Sequence, residues 1–517
     1  MNNKHSRYTK SLIIILLLTA STLFPQSAGK ESLAFKKKLN PFAFYPLYIP
    51  EYSYQFLESF SLVQKANHGD PSAQLELSIR FLTGDGFDTD TLKAVYWMKK
   101  SAAQELPSAK YNLGIFTMNG WGCDWNPFEA YSLIKSAANN GMVEAEYLTG
   151  VFFTENLTVQ RNYDSAGFWF KKADAKSFKP AKEALTRLEK MVELKKQYDQ
   201  ATNPDAPITK PQKNQSITNA DLDFINESLK KKAKESDTSI FRQLIITTPA
   251  DMKPSLGLTG SDSLLEFSID TIITIIKRAA NAGSPEANVF IGRCCEAGIV
   301  YNKSVITAAA YYILALHLES PYAGYYINKL ISDPSFNALL NKETAKKHAE
   351  ALYVYSSLQA LNADGQEQRN FFLNTLRESE KSKYIPAIIE LAEIYFRGKY
   401  TAKDSAKAFY YWAEAEKLGS KEAMLSKAIA SMLLNASCDK LPSQTQLTDL
   451  TAEGSVLSLL IQGYLFESGK CIPQNKSKAV ECYRKAAFRG NSTAFSSLKR
   501  LYDELRPFKA EFTLTEE

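Results

Sequence analysis

Histidine is the first residue type to weigh for chemistry, because imidazole titrates near neutrality and ligates metals. The chain has four. His5 lies in a basic N-terminal stretch, His68 beside a helix end, and His317 and His348 on predicted helices, with no cysteine-plus-histidine spacing suited to zinc. No HExxH, GxSxG, P-loop or dinucleotide fingerprint occurs. Ser132 and Lys135 have the Ser-x-x-Lys spacing of acyl-serine enzymes, but no SDN or KTG element accompanies them. The acidic run GDGFDTD at 84–90 has the composition of a calcium loop and the wrong ligand order for an EF-hand. These residues predict no catalytic group, no cofactor, no metal and no enzyme.

The chain contains six cysteines and no CxxC. Cys294 and Cys295 are adjacent, Cys123 is alone in a turn, and Cys438, Cys471 and Cys482 cluster near the end. In an exported chain this predicts one bridge among Cys438, Cys471 and Cys482. The alternative is buried free thiols in helix seams.

The elements that would position any site repeat themselves. Ala73, Ala109, Ala145 and Ala181 are evenly spaced, as are Ala94, Ala130 and Ala166, the mark of units that bury their apolar faces on one another. In the first unit Ala73, Leu77, Ser78 and Phe81 share one face of a helix. Gly84 stops it, Asp90 caps a second helix, and Ala94, Trp97, Ser101 and Ala102 form that helix's buried stripe. The same columns recur. The fifth residue after the first alanine is Ser78, Gly114, Gly150, Gly292, Ala392 or Gly463, small enough for close helix contact. The stop is Gly84, Gly120, Gly298, Gly398 or Gly469, and the cap Asp90, Asn126, Asn162, Ser304, Asp404 or Asn475.

The segments LSIRFLTGDGFDTDTLKAVYWMKKSA, YNLGIFTMNGWG, LAEIYFRGKYTAKDSAKAFYYWAEAEKLG and YLFESGKCIPQNKSKAVECYRKAAFRG resemble the Sel1-like repeat, across most of residues 54–505 with gaps. The resemblance implies an all-α fold, an α-solenoid of paired antiparallel helices close to the tetratricopeptide class, used as a protein-interaction scaffold. Asn156 departs from the pattern where glycine is expected, as do Thr117 and Cys295 at an aromatic position. A cysteine-rich branch of the family staples every repeat, which this chain does not. In such a solenoid Tyr111, Ile115, Tyr147, Arg293, Glu393, Arg397 and Tyr464 face an inner groove lined by first helices and bind a protein or peptide. The competing reading puts the column of Tyr111 and Tyr147 in the core, since Leu75, Val289, Ile389 and Leu460 occupy it elsewhere.

In order along the chain, residues 1–29 read as an export signal: Lys4, Arg7 and Lys10, an apolar run, then Pro25 and small residues. An uncleaved inner-membrane anchor over residues 12–24 is the alternative. Residues 30–53 are rich in aromatics and proline and read either as a docking strip or as a cover for the solenoid's exposed end. Block 1 spans 54–200, a linker with a polar, lysine-rich helix 201–261, block 2 262–506, and a frayed tail 507–517. In block 2, Asp333-Pro334 breaks the first helix of a divergent unit and KETAKKHAEALYVYSSLQAL supplies its second. The net charge of +6 is too small to argue for nucleic acid. The leading expectation is a periplasmic or secreted scaffold. The runner-up is a cell-envelope factor that binds peptidoglycan or regulates a wall-modifying enzyme.

Overall fold

The computed structural model describes residues 47–48, 59–202, 269–360 and 366–515. The expected export signal, most of the aromatic segment and nearly all of the linker lie outside the described residues. Among the described residues there are 22 α-helices and no strand. The chain divides into two units: residues 39–221, 475–481 and 497–517 form the first, and 1–38, 222–474 and 482–496 the second.

The first unit opens with α1 (Ser59–Asn67), followed by the hairpins α2 (Pro71–Thr83) with α3 (Thr91–Ala102), α4 (Pro107–Asn119) with α5 (Pro127–Asn139), and α6 (Val143–Glu155) with α7 (Tyr163–Asp174); α8 (Lys179–Thr202) follows. The boundaries have local causes. Asp70 accepts hydrogen bonds from the N–H groups of Ser72 and Ala73, with Pro71 at the first helical position, where proline has no intrahelical bond to lose. Gly84 is left-handed at φ 81° and its N–H bonds to Arg80 O, ending the helix in the conformation that disfavours other residues. In the third repeat Asn156 takes this place at φ 56°, as asparagine can. The predicted caps Asp90, Asn126 and Asn162 all accept from backbone N–H groups.

Each hairpin closes on its small-residue column. A Cβ on Gly150 would lie 2.6 Å from Phe170 Cε1 and 3.1 Å from Ala166 O. Ser78 fills the same column differently: its hydroxyl donates to Ala94 O at 2.6 Å. Of the expected second-helix stripe Ala94, Ser101 and Ala102 are buried, and the departure is at Trp97. Met98 is buried, whereas Trp97 is half-buried with Lys100 over its ring. The residue four after each second-helix alanine is the buried one, about one helical turn from the alanine.

Residues 497–515 also belong to this unit, and the tail is ordered rather than frayed. Phe512 is buried, its ring edge-on to Phe128 and near Tyr131. The Arg506 guanidinium donates to Leu157 O and Thr158 O. One phenylalanine and one arginine in a polar run are enough to anchor it, because the ring has an apolar seat and the guanidinium meets two free carbonyls.

The second unit contains α9 (Ile269–Asn281), α10 (Pro285–Ala297), α11 (Val305–His317), α12 (Ala323–Ile331), α13 (Pro334–Ala345), α14 (Ala349–Ala360), α15 (Gln366–Lys381), α16 (Ile385–Arg397), α17 (Ser405–Lys417), α18 (Lys421–Leu433), α19 (Gln444–Ala452) and α20 (Val456–Ser468). The last two helices, α21 (Lys476–Phe488) and α22 (Ser492–Leu505), contribute residues to both units. The segment expected to form one divergent repeat is four helices. KETAKKHAEALYVYSSLQAL is not one helix: α13 ends at Ala345, and α14 begins at Ala349. The pair α14–α15 is a full repeat unit. Ser356 holds its small column and is fully buried, and Ser379 Oγ donates to Ala349 O at 2.6 Å, the bond that Ser101 makes to Pro71 O in the first repeat.

Within this unit the turns meet one another. Asn281 Nδ2 donates to Gly419 O, and Arg278 pairs with Glu453 at 2.6 Å. Arg489 is buried against Glu286 at 2.5 Å and also donates to Gly454 O. Gly490 passes so near the turn after α11 that a Cβ would run into Glu319 O. Cys438 and Cys471 are disulfide-bonded, and Cys482 is a buried free thiol.

Candidate partner-binding surface

The first unit's middle repeat carries the most specific polar arrangement. α4 has a proline at its first position and stops at left-handed Gly120, which fixes its phase and turns Asn112 toward the N-terminal segment. Asn112 is fully buried. Its Oδ1 accepts the N–H of Tyr48 at 2.9 Å, and its Nδ2 donates to Tyr48 O at 2.8 Å. Both main-chain polar groups of one residue are thus satisfied by one side-chain amide, the pairing a neighbouring strand would make. Leu47 packs against the cluster that includes Leu75, Ile79, Leu113 and Phe116. This contact spans 64 positions, and no local pattern announces it. The signal available was an asparagine in a helix interior, where that residue is disfavoured unless its amide is used.

The residues expected to line a groove are dispersed. Tyr111 and Ile115 are buried and cannot present a surface; the Tyr111 column packs as core there, as it does at Leu75 and Val289. Tyr147 is half-buried, 5.6 Å from the rings of Phe170 and Phe178. In the second unit Arg293 lies with its guanidinium 5.9 Å from the Tyr326 ring centroid. Glu393 and exposed Arg397 pair at 3.0 Å along one helix. Tyr464 packs on the cluster of Leu425, Leu447 and Leu465.

The second unit also gathers Ser357, Glu390 and Glu422, which no motif in the sequence singles out, with Ser357 and His317 both beside Glu390. Ser357 Oγ donates to Glu390 Oε2 at 2.9 Å, and His317 Nε2 lies 3.9 Å from Glu390 Oε1. Burial pushes the Glu390 carboxyl up to about 7, against the bond from Ser357, and pushes Glu422 up to about 7 with help from the Glu393 charge. Ser357 donates to the Glu390 carboxylate rather than to the imidazole, so the two do not form the serine–histidine pair of an acyl-transfer site. Burial also raises the Cys294 and Cys295 thiols, to about 12 and about 11, which keeps them protonated and unreactive. Among the described residues no cluster suits a metal ion, and no helix is long and apolar enough to cross a membrane.

The Sel1 repeat model matches residues 71–106, 107–142, 143–173, 385–420 and 463–491. Among solved structures the chain is similar to a Sel1 repeat protein from Oxalobacter formigenes, at 32% identity over 25% of this chain and 96% of that one, with a TM-score of 0.24. It is also similar to c5321, a protective antigen present in uropathogenic Escherichia coli strains displaying an SLR fold, at 19% identity over 86% of this chain and 83% of that one, with a TM-score of 0.27. No curated protein matches the chain. Five stretches of this chain are thus Sel1 repeats, three of them in the N-terminal hairpins whose caps and small-residue contacts are described above.

Proposed function

We propose that the chain is an exported scaffold that holds an extended protein segment against the first helices of its N-terminal repeats. Sel1 repeats generally mediate protein–protein interaction. The observation that carries the more specific reading is the Asn112 amide holding both main-chain groups of Tyr48. A side chain that satisfies a backbone in this way recognises an extended peptide whatever its sequence, and the neighbouring apolar seat adds selectivity. Export is supported by the basic and apolar character of residues 1–29 and by the Cys438–Cys471 bond, since disulfides persist in oxidising compartments.

The test is crosslinking of the mature protein in its native envelope fraction, with N-terminal sequencing of the same sample. One stoichiometric protein partner, on a chain that starts near residue 30, is the expected result. Recovery of peptidoglycan fragments with no protein would instead make it an envelope factor that binds the wall, and a chain beginning at Met1 would make residues 12–24 a membrane anchor.

A further inference from the structure

Asn112 presents a physical problem that its present partner solves. A fully buried amide carries two donors and an acceptor, and burying them without partners is unfavourable. In this chain the acceptor and one donor are satisfied by a residue of the N-terminal segment, from outside the repeats. The equivalent position of the preceding repeat is Glu76, whose carboxylate is engaged by Arg80 of its own helix at 3.0 Å. That of the following repeat is Leu148, buried and apolar. Only the middle of the three offers a backbone-reading group.

Leu47 and Tyr48 are both half-buried, so the chain's own segment rests on this surface without being enclosed by it. The flanking sequence Tyr45-Pro46-Leu47-Tyr48-Ile49-Pro50 has prolines on either side, which resist helix formation and favour extended backbone. The arrangement is that of a ligand tethered to its receptor. Tethering gives the segment a high effective concentration, which compensates for few contacts.

We propose that Leu47–Tyr48 is a built-in competitor: the partner is an extended peptide that places an aliphatic side chain where Leu47 sits and presents the next residue's N–H and C=O to Asn112. Binding then requires the chain's own segment to leave. This rests on the scaffold reading above and specifies the partner's chemistry and its regulation.

The experiment uses the full chain and a fluorescent peptide with the sequence of residues 42–51, followed by anisotropy. Weak binding to the unaltered protein is expected. Leu47→Asp, which removes the competitor's apolar anchor, should bind about tenfold more tightly, and adding Asn112→Leu to it should return affinity by about tenfold, the worth of one to two hydrogen bonds. Tyr48→Pro, which removes the N–H that Asn112 accepts together with the tyrosine ring, serves the same purpose if Leu47→Asp does not fold. Equal affinity for the unaltered and competitor-weakened proteins would overturn the proposal, as would binding that ignores Asn112. Concentration-dependent dimers abolished by Leu47→Asp would overturn it too, by making a second copy the occupant. Should the peptide fail while crosslinking still captures one partner, this inference falls and the scaffold reading stands; failure of both removes the scaffold reading.

Discussion

Gly114 faces Ile134 so closely that a Cβ on the glycine would lie 2.7 Å from Ile134 Cγ1 and 3.1 Å from Ala130 O. Real Cβ atoms do not approach carbon at that distance, so the side chain's absence is what lets α4 and α5 meet. Gly114→Leu should therefore destabilise the first unit by about 1–3 kcal/mol or more through overpacking. Thermal unfolding followed by circular dichroism reads this directly; an unchanged melting temperature would show the helices able to separate at no cost.

Met98 and Trp97 should respond in the opposite order to their sizes. Met98 is completely buried and Trp97 half-buried, so Met98→Ala should cost about 2–5 kcal/mol and Trp97→Ala less than Met98→Ala, not the larger cost of a buried aromatic. Denaturant titration of both variants gives the comparison.

Arg489 and Glu286 form a buried pair in the second unit, both less than a tenth exposed. Arg489→Met leaves the carboxylate buried without its main partner and should cost about 3–5 kcal/mol. Combining it with Glu286→Gln should recover part of the loss. No recovery in the double variant would assign the effect to lost packing.

Glu390 and Glu422 set a pH dependence. Burial raises both carboxyls from 4.5 to about 7, so between those values the folded unit binds more protons than the unfolded chain. Stability then falls as pH rises from about 4.5 to 7, and the penalty is complete above 7. Glu390→Gln should stabilise the protein at pH 8 by about 1–3 kcal/mol, a figure at the low end of what full burial would give, and flatten the slope. Melting temperatures of both proteins at pH 5 and pH 8 decide it.

The Cys438–Cys471 bond closes a sequence separation of 33 residues. Cys438→Ser with Cys471→Ser should destabilise the second unit by about 2–4 kcal/mol on the chain-entropy account. Cys294, Cys295 and Cys482, all buried, should resist a maleimide in the native protein and react once it is unfolded. Mass spectrometry after labelling counts them.

The repeat columns were legible because caps, stops and close contacts are local: Asp90, Gly84 and Gly114 each answer to neighbours within one hairpin. The α14–α15 repeat was legible in principle too, since counting one period back from Ala387 reaches Ala351. It escaped notice because Phe372 and Leu376 stand where alanine and an aromatic are usual, and shape rather than residue type conserves the packing. Trp97 departs from its expected place because helical spacing allows either the third or the fourth residue after Ala94 to face inward, and the fourth, Met98, does. What local reasoning could not reach were the contacts made across the chain: Asn112 with Tyr48, Arg489 with Glu286, and Phe512 with Phe128. Their residue types are ordinary, and only the packing within each unit brings them together.

Phe128 and Tyr131 receive Phe512, and Lys135 pairs with Glu511 from 376 positions away. A ribosome that has completed the three N-terminal hairpins has not yet made the residues that cover this face. Until they emerge, an apolar patch on the first unit is left uncovered, open to chaperones or to mispairing with another nascent chain. Truncation of the last residues should therefore show itself first in yield and aggregation during biosynthesis, before any effect on the melting of protein already folded.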